Sequence, residues 1–137
     1  MLQAMTDGFT TLSGAWMGRY DYGAGQCPVS FEAMLQDDAG ALSGQITEPN
    51  TFRRDMGASL TASLVGDRLG YDVTFRKIYA GFDQGGDPVY EGVLNAALDR
   101  IDGMWRFSND PQWSGRFMMI RALRVRARRK IAVTADI

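Results

Sequence analysis

Eight stretches of this chain alternate between two faces with a period of two, and turn signals interrupt the pattern about every ten residues. The first, from Ser13 to Tyr22, puts Trp16, Gly18, Tyr20 and Tyr22 on one side and Ala15, Met17, Arg19 and Asp21 on the other. Val29, Phe31, Ala33 and Leu35 share a face next, then Leu42, Gly44, Ile46 and Glu48, then Ala58, Leu60, Ala62 and Leu64. A fifth row, Tyr71, Val73, Phe75, Lys77 and Tyr79, is followed by Tyr90, Gly92, Leu94 and Ala96. Ile101, Gly103, Trp105 and Phe107 make the seventh, and Gly115, Phe117, Met119 and Arg121 the eighth. Successive side chains of a strand point to opposite faces, so each row is expected to be the inward side of a half-buried strand. No stretch holds a 3.6-residue period, and no helix is expected.

Gly66-Asp67 has the composition of a tight hairpin turn. Gly23 to Gln26, Asp37 to Gly40, Asp99-Arg100 and Asn109-Asp110-Pro111 are further turn signals, and residues 49–57 and 81–88 form longer polar loops. Strands joined consecutively by hairpins make a meander, and a meander of eight removes its exposed edges by closing on itself. A Greek-key sandwich needs long crossovers, which are missing here. The expected fold is therefore all-β, an eight-stranded antiparallel up-and-down barrel over residues 13–121. Residues 1–12 are expected as a lead-in that caps the barrel base, and 122–137 as a basic extension. Loops after the odd-numbered strands gather at one end and are mostly longer, which marks that end as the open mouth.

The opening Gly14-Ala15-Trp16-Met17-Gly18-Arg19-Tyr20 resembles the first strand of the calycins, the superfamily of lipocalins, fatty-acid-binding proteins and avidin-like barrels. The resemblance extends from Gly14 to Arg121 and implies a lipocalin-like barrel with an interior site. It also implies a structural plug, because lipocalin-like proteins pack a Trp of the first strand on an Arg of the last. Trp16 and Arg121 match those positions. In a closed meander the first and last strands are antiparallel neighbours, so both inward side chains reach the base. There the guanidinium can lie on the indole face and give its remaining donors to local carbonyls.

Composition narrows the chemistry. At 137 residues the chain is one domain with room for its own core, and 45% hydrophobic against 23% charged residues argues against disorder. A net charge of −1 creates no general field toward nucleic acid or membrane, and no apolar run approaches the roughly 20 residues that span a bilayer. The N-terminal residues lack both a basic segment and an apolar core, so no signal peptide is expected. Cys27, beside Pro28, is the only cysteine and is expected to be an inert thiol; with no disulfide to form, a cytoplasmic setting is expected. Histidine is absent, which removes Ser-His and Cys-His catalysis, histidine-ligated haem and most zinc sites. No metal and no cofactor are expected.

The polar inward residues collect at the mouth. All five tyrosines, Tyr20, Tyr22, Tyr71, Tyr79 and Tyr90, fall in the inward phase. A buried lysine or carboxylate needs a partner, so Glu48 and Lys77 are expected to pair, ringed by phenols above a floor of Phe31, Phe75, Leu94 and Trp105. Tyr22, Glu48, Phe75, Lys77, Tyr79, Tyr90 and Trp105 are thus candidate residues for binding a small, partly apolar ligand with a polar group. The competing possibility is a filled barrel that acts as an interaction or structural module through its outer face or tail. A barrel isomerase or lyase using Glu48 and Lys77 is a third, although no nucleophile–base constellation accompanies them and no catalytic residue is assigned. Trp113, Arg53 and Arg54 belong to the same end; loop arginines of this kind are more often solvated than ligand-bound.

Charge is distributed unevenly. Six basic residues and one acidic give 121–137 a net +5, against −6 for the nine basic and fifteen acidic residues of 1–120. Arg124, Arg126 and Arg128 alternate with Leu123, Val125 and Ala127 as one basic strand face. A solvated edge balanced by the acidic body is preferred to a nucleic-acid contact. Met17, Met34, Met118 and Ile120, in the outward phase, would offer a second subunit an apolar surface and make a homodimer.

Overall fold

The computed structural model describes residues 9–23, 27–51, 53–82 and 86–122. The alternating rows form β1 (Gly14–Tyr20), β2 (Val29–Asp38), β3 (Ala41–Pro49), β4 (Ser59–Leu69), β5 (Asp72–Tyr79), β6 (Pro88–Leu94), β7 (Arg100–Phe107) and β8 (Asp110–Arg121). Each strand pairs antiparallel with the next, and β8 returns to β1 with Trp16 opposite Arg121 and Tyr20 opposite Phe117. The result is a closed eight-stranded up-and-down barrel with no edge strand. No helix is long and apolar enough to cross a membrane among the described residues. The expected basic strand at 123–137 and the start of the lead-in lie outside the described residues.

Period-two burial holds along the walls. β2 alternates without a break from Val29 to Asp38, and Leu42, Ile46, Leu60, Leu64, Val73, Phe75, Ile101 and Met119 fill the interior. The opposite phase faces solvent, where Met17, Met34 and Ile120 are exposed and Met118 is half-buried.

The turn expected at Gly66-Asp67 lies four residues later. β4 runs on to Leu69, and Gly70 and Tyr71 make the connection. Gly66 instead faces Leu42 and Phe75 across the ladders, and a Cβ there would stand 2.6 Å from Phe75 Cβ. Glycine in mid-strand here marks the close approach of a neighbouring strand rather than a bend. The shift also moves Tyr71 out of the interior: it is 53% exposed at the end opposite the mouth. Ala58 and Ala96 likewise fall just outside their strands and are exposed, and the last base turn is Asn95 to Asp99 with β7 already begun at Arg100.

Residues 9–13 close the base. Leu12 is fully buried, and its carbonyl accepts from Trp16 Nε1 at 2.9 Å. The Arg121 guanidinium lies between the rings of Phe9 and Trp16, 4.0 and 4.7 Å from their centroids. Its donors go to the carbonyls of Leu98 (3.0 Å), Ser13 (2.8 Å) and Thr11. Leu98 adopts φ 57°, which turns its side chain into the base while its carbonyl meets Arg121. Asp37, which reads in the sequence as a turn residue, is buried beneath this layer. It accepts from the Leu12 and Gly40 amides at 2.9 Å each and from Arg68 at 3.0 Å. Burial pushes its pKa up, but those three donors outweigh burial and hold it below the ordinary carboxylate value.

Candidate functional site

At the other end the interior opens. Among the described residues, Cys27, Pro28, Thr51 and Asn109 from the connections at this end join Tyr22, Lys77, Tyr79, Tyr90 and Trp105 around a cup of about 1110 Å³. Five of the seven residues expected to meet a ligand therefore line it. Glu48 and Phe75 stand behind that wall: Glu48 is 2% exposed against Lys77, and Phe75 stacks on Tyr90 with ring centroids 4.8 Å apart. Phe75, Tyr90 and Phe117 are packed ring against ring, which fills the barrel below the cup. Leu94, at the far end of β6, belongs to the base rather than to the floor.

Glu48, the last inward residue of β3, and Lys77, two residues before the end of β5, reach the same depth, which is why they meet. Lys77 Nζ donates to Glu48 Oε1. Glu48 Oε2 accepts from the Tyr20 hydroxyl at 2.7 Å and from the Tyr79 hydroxyl at 3.0 Å. The ammonium also lies 4.4 Å from the Tyr20 ring centroid and 4.6 Å from that of Tyr79. A carboxylate with three donors and an ammonium among aromatic faces is a buried pair with its lone pairs and protons largely met.

Burial pushes the Lys77 ammonium below its ordinary pKa, and the Glu48 carboxylate opposes that shift. Burial first, then the neighbouring Tyr79 and Glu48, carry the Tyr20 hydroxyl far above the ordinary phenol value; burial and Glu48 do the same for Tyr79. Tyr90 is raised by burial and then by Tyr79. These phenols stay protonated near neutral pH and act as donors.

The upper wall is aromatic. Tyr22 meets Trp105 edge-on at 5.3 Å and Trp113 at 6.3 Å, and Trp105 meets Phe107 at 6.1 Å. Trp105 is held by its indole N–H, which donates to the Asp21 carbonyl at 2.8 Å. Gly115 permits this, since a Cβ there would stand 2.8 Å from Trp105 Nε1 and collide with the Asp21 carbonyl. Trp113 is 54% exposed at the rim, near the start of β8.

Neither arginine of the 50–58 loop turns toward the cup. Arg53 makes a two-pronged contact with Asp55 at 2.9 and 2.7 Å and lies 4.4 Å over the Phe82 ring, while Arg54 is exposed; neither lines the cup. Cys27, Pro28, Pro88, Phe107 and Asn109 do line it. Only Phe107 among these lay in an inward row: Cys27, Pro28 and Asn109 are loop residues with no period to reveal their direction, and Pro88 opens β6 in phase with Tyr90, one step before that row begins. Among the described residues no group of three or more histidine, cysteine, aspartate or glutamate side chains is placed to hold a metal. The chain matches no family model and no curated protein.

Proposed function

We propose that this protein is a calycin-type binding barrel that holds a small, partly apolar ligand in the cup above Lys77. The observation that carries this reading is the coexistence of two interiors in one barrel. Below Tyr90 the space is packed ring against ring; above it an aromatic cup stays open over a buried ion pair. A barrel serving only as a structural module gains nothing from leaving that end hollow, whereas a concave apolar cavity with a few convergent polar groups suits a ligand. The tryptophan and arginine at the base, and the closed meander between them, agree with the calycin resemblance.

Native mass spectrometry of the protein purified from its own host, compared with its denatured mass, tests this reading. A bound small molecule, released on denaturation and absent from a folded Lys77→Ala/Glu48→Ala variant, is the expected result. A bare polypeptide mass under gentle ionisation would move weight to the outer face of the barrel.

A further inference from the structure

Resting on that binding reading, we propose that the cup takes an uncharged ligand whose buried end is a hydrogen-bond acceptor, a carbonyl oxygen on a flat apolar body, received by the Tyr90 hydroxyl beside Lys77.

The donors point to this by elimination. Tyr20 and Tyr79 give their hydroxyls to Glu48. The Trp105 indole N–H is committed to the Asp21 carbonyl, and Tyr22 is only half-buried at the rim, where water can meet its hydroxyl. Tyr90 differs. It is 2% exposed, lines the cup, and its ring is fixed between Phe75 and Phe117, yet its hydroxyl has no hydrogen bond to any described residue. Buried hydroxyls in folded proteins are ordinarily satisfied, so a donor left open on a cavity wall marks where an acceptor from outside belongs.

Charge selects among acceptors. Lys77 and Glu48 form an ion pair whose opposite charges cancel. An anion reaching Lys77 meets the field of Glu48 just behind it, and a cation meets Lys77 first. Neither gains the net attraction that an unbalanced lysine or glutamate would supply. A neutral carbonyl oxygen loses nothing by this balance and takes the free phenol proton. The ring faces of Tyr22, Trp105, Phe107 and Trp113 leave flat surfaces for the remainder of such a molecule.

Four probes of one shape test the inference by equilibrium dialysis against the full chain: 2-acetylnaphthalene, 2-naphthoate, 2-naphthylmethylammonium and 2-ethylnaphthalene. The ketone is expected to bind about tenfold tighter than each of the others, the contribution of one well-placed hydrogen bond. Tyr90→Phe removes only an oxygen that has no hydrogen-bond partner among the described residues, so it should fold. It should bring the ketone down to the level of the hydrocarbon and leave the hydrocarbon unchanged. Tyr22→Phe, in the same cup, should keep the ketone preference. Equal or tighter binding of either ion overturns the inference, as does a ketone preference that survives Tyr90→Phe or is lost equally in Tyr22→Phe. If none of the four binds, the binding reading itself falls and this inference with it; binding without the ketone preference overturns this inference alone.

Discussion

The two ends of the barrel use the same ingredients to different ends. At the base, Arg121 lies between Phe9 and Trp16, and Asp37 sits beneath them; at the mouth, Lys77 lies among Tyr20, Tyr79 and Tyr90, and Glu48 sits behind. Backbone supplies most of the partners at the base, with Arg68 the one side chain on Asp37. Three carbonyls take Arg121, and two amides reach Asp37. At the mouth side chains supply them, and the buried Tyr90 phenol is left over. A charged group tied to backbone closes a structure, because its partners cannot leave without unfolding the segment. A charged group tied to side chains on a cavity wall can exchange those partners with a visitor.

The largest effect that would break this contrast comes from the mouth. Lys77→Met leaves Glu48 buried without its counter-ion and is expected to cost about 3 to 5 kcal/mol in urea unfolding. Adding Glu48→Gln should recover much of the loss, since the uncompensated charge is then gone. A loss that persists in full would mean that Lys77 acts by packing alone. Next comes Arg121→Met, which removes three carbonyl partners and two ring contacts and should cost about 2 to 4 kcal/mol. Its folded fraction should bind 2-acetylnaphthalene with unchanged Kd, because the plug lies at the other end; a weakened Kd would blur the division between the ends.

Acid sharpens the base further. Asp37 ionises below the ordinary carboxylate value of 3.8 when folded, so the folded chain takes up its proton less readily than the unfolded chain does. Its contribution is complete above that value and fades as pH falls through the folded-state value. Unfolding free energies of wild type and Asp37→Asn from urea titrations should differ by about 1 to 2 kcal/mol at pH 7, and the gap should narrow only below about pH 4. A gap that is constant down to pH 3 would contradict the assignment. The smallest effect separates two phenols of the cup. Tyr20→Phe loses a bond to a carboxylate and should cost about 1 to 2 kcal/mol, whereas Tyr90→Phe should change stability by less than about 1 kcal/mol, toward greater stability.

Much of this contrast was legible before the coordinates. Trp16 and Arg121 share the inward phase at the start and end of a closed meander, which fixes them at one end of the barrel. Glu48 and Lys77 are opposite charges in inward rows at the same depth, and burial compels them to pair. What the sequence hid depends on contacts distant along the chain. Asp37 looks like one more polar turn residue until Leu12, 25 residues away, and Arg68, 31 away, are brought to it. Gly66-Asp67 carries a turn composition, but Phe75 crosses that glycine closely, so β4 continues and Tyr71 ends in solvent. The open Tyr90 hydroxyl is invisible for a further reason: alternation tells which way a residue points, and nothing about who answers it.

The three tryptophans report on both ends in a single experiment, since Trp16 lies at the base, Trp105 in the cup wall and Trp113 at the rim. Their indole N–H signals, followed by nuclear magnetic resonance while 2-acetylnaphthalene is added, test the division of labour directly. The Trp105 and Trp113 signals should shift in a saturable way while that of Trp16 stays in place. Three unmoved signals, or a Trp16 shift as large as that of Trp105, would contradict a ligand cup at the mouth above a structural plug at the base.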